Sequence, residues 1–302
     1  MQFVVFCVPE VTVHSAHRGM EVKLTHTLEQ LLGTASGFLG GVAEIMENSI
    51  GKSSSDLTNR ILKYPLSPRG HLIRPFLVYT AARSLNNGEL TGDTLNKMLY
   101  FAAAVELLHN ASLVHDDVLD KEASRRGKEC LYRVYGDTNA ILTGNVYYIT
   151  AFEVALENLG KEQFRGLVAA AAEMCYGEML QKEFEGSVKP RDVYFEIIRK
   201  KTSTLMGIAC QEAARLAGGG DARIKELRRL GELIGSIYQL QDDFKDDDAG
   251  LDAEFDYVSS ALSLMEQAEE IVNGLPNLEC AKIFEELMLI LKNCIRNERI
   301  TV

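Results

Sequence analysis

The chain has 302 residues, of which 46% are hydrophobic, and a formal net charge of −11. That length suits one large domain or two, and the apolar content is ample for a buried core. The acidic balance excludes nucleic acid as a partner, since binding a phosphate backbone needs a basic face. No stretch reaches the roughly eighteen apolar residues of a transmembrane segment.

Residues 1–22 read as a disordered N-terminal extension, and residues 23–302 as a single domain. Met1 to Val8 is briefly apolar but has no basic leader before Pro9 and Glu10, which argues against a signal peptide; Met20 offers an alternative start. From Leu24 to Met46 the apolar spacing is helical, interrupted by Gly33, Gly37 and Gly40-Gly41. Asn48 to Asn59 is polar and Ser-rich, which predicts a loop. Pro65 and Pro68 punctuate the approach to Arg69-Gly70, and Pro75 suits the first turn of a helix running to about Leu85.

Between Pro75 and Pro190 there is no proline, and Asn86-Asn87-Gly88, Gly136-Asp137, Gly160 and Gly186 divide this span into helices. Helical patterning resumes at about Glu254 and breaks again at Gly274-Leu275-Pro276. The pattern predicts roughly eight to ten helices and no period-2 strand, an all-α chain. Six cysteines, Cys7, Cys130, Cys175, Cys210, Cys280 and Cys294, show no C-x-x-C spacing, so they read as thiols of a reducing cytoplasm.

Chemistry concentrates in two acidic units. Asp116-Asp117-Val118-Leu119-Asp120 ends an apolar run, and residues four apart in a helix point the same way, so Asp116 and Asp120 share a face with Asp117 beside them. Three carboxylates towards the end of a helix repel one another and oppose its dipole. Hard oxygen ligands without His or Cys partners suit Mg²⁺. Asp242-Asp243-Phe244-Lys245-Asp246 repeats the spacing after Gln239-Leu240-Gln241. A lone copy reads as a solvated acidic helix end; two copies, with Arg125-Arg126 after the first, read as two faces able to hold Mg²⁺ between them. Arg74 is a good anion ligand because its guanidinium forks onto two oxygens.

With Arg69-Gly-His-Leu-Ile-Arg-Pro75 and Lys200-Lys201-Thr202, these motifs resemble the trans-type polyprenyl diphosphate synthase family, in the family's order from about Leu62 to Asp246. The resemblance implies an isoprenoid synthase fold: a single-domain antiparallel helical bundle around a central cavity, forming a homodimer. It implies head-to-tail condensation of an allylic diphosphate with isopentenyl diphosphate, three Mg²⁺ ions, and metal ligands among Asp116, Asp117, Asp120, Asp242, Asp243 and Asp246. Asp116, Asp120, Arg125, Lys201 and Asp242 are then the catalytic set.

By the same resemblance, His71, Arg74, His109 and Arg126 face isopentenyl diphosphate, while Arg125, Lys201, Thr202 and Gln239 face the allylic diphosphate. His115 positions the helix end. Small Ala111 and Ser112, with Leu108 deeper, stand where aromatic residues stop the product at fifteen carbons in some family members, which implies twenty carbons or more. The chain departs from the family pattern at several points. Arg69 replaces a Gly and His71 a Lys. Gly144-Asn145 and Gly177-Glu178 replace Gly-Asp and Gly-Gln. The basic loop after the second motif is missing, leaving Lys245 as the nearest substitute. Two alternatives stay open: a terpene synthase that ionises without condensing, and a non-catalytic partner subunit.

Overall fold

The computed structural model of the protein describes residues 12–14, 21–23, 28–85, 90–246, 251 and 255–297, with side chains described at 28–85, 90–244, 251 and 255–292. Its helices are α1 (Leu28–Gly33), α2 (Ser36–Ser49), α3 (Asp56–Lys63), α4 (Ile73–Arg83), α5 (Gly92–Leu119), α6 (Leu131–Tyr135) and α7 (Asp137–Asn158). They continue with α8 (Lys161–Glu183), α9 (Arg191–Ile198), α10 (Thr204–Leu216), α11 (Asp221–Asp246), α12 (Tyr257–Asn273) and α13 (Leu278–Asn297). The all-α expectation holds. The chain breaks fall at the expected Gly136, Gly160, Gly186 and Gly274-Leu275-Pro276, while Asn86 to Gly88 lie outside the described residues.

The bundle is built around α5. Its 28 residues span about 42 Å, and Phe101 to Val105, Leu107, Leu108 and Ala111 are fully buried. A helix that is apolar on every side belongs in the middle of a bundle. It packs against α2, α4, α7 and α10, and α10 in turn carries α11 and, beyond it, α12 and α13.

Three local features depart from the sequence reading. The polar stretch 48–59 is not all loop: Ser55 caps α3 by accepting from the Thr58 N–H at 3.3 Å, and Asp56 in the first turn with Arg60 and Lys63 in the last suits the helix dipole. Two short antiparallel hairpins also form among the described residues, β1–β2 (Thr12–His14 with Glu21–Lys23) and β3–β4 (Ser124–Arg125 with Lys128–Glu129). In the second, Arg126 (φ 53°) and Gly127 (φ 73°) make a two-residue turn of left-handed backbone, the type I′ geometry that matches strand twist.

The third departure lies between α9 and α10, where Arg199–Ser203 winds as a π turn. Ser203 Oγ donates to the Ile198 carbonyl at 3.2 Å and Thr204 Oγ1 to the Arg199 carbonyl at 2.8 Å, so hydroxyls serve carbonyls five residues back. Such turns inside helices recur at functional sites. This one shifts Lys201 and Thr202 out of α-helical phase.

Candidate active site

A cavity of about 720 Å³ opens where the C-terminal ends of α5 and α11 meet the π turn, α9 and the β3–β4 hairpin. Asp116 and Asp120 from α5 face it, and so do Asp242 and Asp243 from α11. His71, Arg74, His109, Ser112, Arg125, Arg126, Lys201, Thr202 and Gln239 also line it. Residues spread over some 170 positions of chain thus share one wall.

Not every expected residue is there. Each α-helical step turns by about 100°, so Asp117 points away from Asp116 and Asp120. It is 5% exposed and accepts from Arg125 Nε at 2.5 Å. Asp117 therefore holds the Arg125 side chain from behind. Leu108 and Ala111 are likewise buried in the core, and of the three residues expected to gauge product length only Ser112 reaches the cavity. The Asp246 side chain lies outside the described residues, as does that of Lys245.

The inner end of the cavity is cationic. Arg74 is half-buried, and its Nε is sealed from solvent with no hydrogen-bond partner among the described residues. Burial lowers its pKa, as it does that of Arg126. His109 is held well below the usual histidine range by burial and then by Arg74, Arg126 and Arg125, so it is neutral near pH 7. Glu106 is 2% exposed; one carboxylate oxygen accepts from Asn110 at 3.3 Å and the other has no partner. Burial raises its pKa while Arg74 and Arg126 oppose the rise. An orphaned, buried guanidinium N–H is costly unless an anion completes it.

Local packing sets this end. A Cβ on Gly70 would stand 2.5 Å from Arg126 Nη2, so a larger residue there would push that guanidinium out of its present place against the entrance segment. Lys128 ties the hairpin to the same segment: it donates to the Ser67 carbonyl at 2.8 Å and the Tyr64 carbonyl at 3.1 Å, and its ammonium sits 3.4 Å from the Tyr64 ring centroid. His115 fastens the end of α5 to α7 through a contact with the Ile141 carbonyl at 3.1 Å, which is the positioning part expected of it.

The rim is arranged differently, as pairs. Lys182 Nζ lies 3.0 Å from Asp120 Oδ1, and Lys201 pairs closely with Glu178 while donating to Gln181 Oε1 at 2.9 Å. Thr202 donates to Gln239 Oε1 at 2.8 Å, and Gln239 Nε2 passes the order on to Asp243 Oδ1 at 2.8 Å. Tyr194 donates to Asp243 Oδ2 at 2.6 Å. Asp116 has its pKa pushed up to about 7, chiefly by burial and further by Glu178 and Asp120, with Lys201 opposing.

No group of three or more His, Cys, Asp or Glu among the described residues is close enough to hold a metal by itself. Four cavity carboxylates from two helices nonetheless fit Mg²⁺, which commonly binds through one or two carboxylates and completes its shell with phosphate oxygens and water.

Sequence reasoning passed over Lys182, Lys189, Tyr194, Gln181 and Tyr238, all on or beside the cavity. Of these, Tyr238 stands directly before Gln239 and Gln181 three residues after Glu178, so both lie beside quoted motifs. Both lysines look like ordinary surface charges until the fold brings Lys182 to Asp120 and Lys189 to the cavity wall.

The sequence profile of the polyprenyl synthetase family matches residues 55–250. A short chain isoprenyl diphosphate synthase of Methanothermobacter thermautotrophicus is 32% identical over 213 residues, covering 68% of this chain and 64% of that protein. A geranylgeranyl diphosphate synthase of Methanosarcina mazei is 35% identical over 191 residues, 61% of this chain and 57% of that one. The match thus spans less than two thirds of either relative's length. Among solved structures, a polyprenyl synthase from Caulobacter crescentus, complexed with calcium and isoprenyl diphosphate, superposes with a TM-score of 0.77 at 22% identity, over 89% of this chain and 98% of that one. A decaprenyl diphosphate synthase from Rhodobacter capsulatus gives 0.80 at 18%, over 89% and 100%. At those identities the likeness is one of fold.

Proposed function

Since the chain belongs to the polyprenyl synthetase family, we propose that it condenses an allylic diphosphate with isopentenyl diphosphate, head to tail, to a trans-polyprenyl diphosphate of twenty carbons or more. The observation that carries this reading is that one cavity holds two unlike anion sites. One is a buried cationic end with an unpartnered Arg74 Nε, the other a rim of facing carboxylates and lysines.

In this reading Arg74, Arg126 and His109, with His71 at the mouth, hold the diphosphate of isopentenyl diphosphate. A neutral His109 donates a hydrogen bond without adding charge. Arg125, Lys201, Thr202 and Gln239 orient the allylic diphosphate at the rim. Asp116, Asp120, Asp242 and Asp243 carry Mg²⁺, which when bound supplies the positive charge that draws electron density onto the diphosphate oxygens. Breakage of the allylic C–O bond leaves a carbocation and pyrophosphate. The double bond of isopentenyl diphosphate attacks that cation, and a proton passes to pyrophosphate as the new double bond forms. Ile73, Leu113, Ile197, Ile198 and Met206 wall the cavity with apolar surface, which keeps water from the cation.

Residues 23–302 act in this reading as one domain, and the chain works in the cytoplasm as a homodimer. Cys130, Cys175, Cys210 and Cys280 are free thiols, and no described helix is long and apolar enough to cross a membrane. Exposed apolar residues at helical spacing, Leu142, Ile149 and Leu156 on α7 and Val168, Tyr176 and Met179 on α8, which packs against it, support a second copy as the partner.

The testing experiment supplies allylic diphosphates of ten, fifteen and twenty carbons with Mg²⁺, each with and without labelled isopentenyl diphosphate. Label is expected in longer linear diphosphates. Hydrocarbon released without isopentenyl diphosphate would overturn condensation in favour of a terpene synthase, and inactivity in every tube would leave a partner subunit.

A further inference from the structure

Glu178 has no part in the chemistry above, yet the fold places it against the rim. A Cβ on Gly177 would stand 2.8 Å from Lys201 Cγ and 2.9 Å from the Lys201 backbone nitrogen, so α8 and the π turn touch through backbone at this point. The next residue is thereby carried onto the lysine. The Glu178 side chain is 13% exposed and pairs closely with Lys201 Nζ; both its oxygens are sealed from solvent. Neither Glu178 oxygen has a hydrogen-bond partner among the described residues, and Gln181, one turn on, accepts the hydrogen bond that the same ammonium donates.

A sealed negative charge at this position acts with opposite sign on the two ligands of the site. It attracts a divalent cation to the neighbouring Asp116 and Asp120. It repels a diphosphate, and it occupies the ammonium that the diphosphate needs. The field of Glu178 already reaches Asp116, where it is the largest of the anionic influences raising that carboxyl. A bound divalent ion inverts such a field locally and offsets the Glu178 carboxylate that Lys201 leaves when it turns to phosphate.

We propose that Glu178 makes diphosphate binding at the Asp116–Lys201 end of the cavity conditional on the divalent cation. This rests on the rim being the allylic diphosphate site. Glu178 is a positioning residue here: it acts through Lys201 and through the charge of the site. A carboxylate that merely anchors Lys201 would change stability, and its loss would loosen metal and diphosphate alike.

The test uses the full chain, wild type and Glu178→Gln. Inorganic pyrophosphate is titrated calorimetrically in EDTA and again with saturating Mg²⁺, and Mn²⁺ alone is titrated by electron paramagnetic resonance. Removing one low-dielectric charge should tighten metal-free pyrophosphate binding about tenfold and weaken Mn²⁺ alone severalfold. The advantage conferred by Mg²⁺ then shrinks. Glu178→Asp, which keeps the charge, should retain most of the wild-type advantage. Circular dichroism melting confirms the fold, and Glu178→Ala reports the same ratio should the glutamine variant be insoluble. Two affinities that do not move, or that move in the same direction, overturn the inference and leave the synthase reading intact. Wild-type protein that binds no pyrophosphate even with Mg²⁺ overturns the rim assignment and the inference with it.

Discussion

The two ends of the cavity solve opposite electrostatic problems. At the inner end Arg74, Arg126 and neutral His109 crowd together around one buried carboxylate, Glu106, and a guanidinium N–H is left without a partner. At the rim the cations are each matched internally: Arg125 with Asp117, Lys182 with Asp120 and Lys201 with Glu178. An anion entering the inner end completes a site that is already built. One entering the rim must first displace internal acids, and divalent cations are the natural agents of that exchange. The lesson is that a sealed donor without a partner marks a site for a bare ligand, while matched ion pairs mark a site that waits for a second component.

The largest expected effect comes from removing a rim carboxylate. Asp116→Ala should lower the incorporation of labelled isopentenyl diphosphate by about 10³-fold, the scale for losing a preorganised electrostatic contribution. Its melting temperature should not fall, because a crowded, desolvated carboxyl has been deleted. An active Asp116→Ala enzyme would dissolve the contrast between the two ends.

Arg74→Met tests the inner end. Losing a charge-assisted contact of about 2–3 kcal/mol should raise KM for isopentenyl diphosphate roughly 30- to 160-fold. KM for the allylic substrate should stay near its wild-type value. Equal damage to both substrates would mean that the ends are not separate sites.

Smaller in rate but clear in product is Ser112→Phe. Ser112 reaches the cavity whereas its neighbour Ala111 is sealed in the core. Phe at 112 should shorten the main product with only a severalfold loss of rate, read by chromatography of the dephosphorylated alcohols. Phe at 111 should instead destabilise by about 1–3 kcal/mol through overpacking.

The smallest effect is a pH slope. Asp116 has its pKa raised from an ordinary 3.8 to about 7, so between those values the folded state keeps a proton that the unfolded chain releases. That contribution to stability is full at acid pH and is lost as pH rises through about 7. Metal-free wild type should therefore melt progressively lower from acid to neutral pH by comparison with Asp116→Asn, whose slope lacks this component. Raised Glu106 acts with the same sign and lowered His109 with the opposite sign in both proteins, so the difference between the two slopes isolates Asp116.

Much of this was legible in the chain itself because it depends on local spacing. Helical periodicity and the Gly and Pro breaks set the all-α class and most boundaries. The i, i+4 carboxylates placed Asp116 with Asp120 on one face, since helix geometry leaves them nowhere else to point. Arg74, His109 and the Lys201-Thr202 pair were identified by residue type and order.

Tertiary structure alone decided which neighbour of each charge lies within bonding reach. The same 100° step that aligned Asp116 and Asp120 turned Asp117 away onto Arg125. The π turn, invisible in a helical pattern, re-aimed Lys201 at Glu178. Lys182 carries no spacing signal and acquires meaning only beside Asp120. Local spacing settles the direction of a side chain along its own helix. What it meets there depends on residues far away in sequence, brought close by burial of α5 and its apolar neighbours.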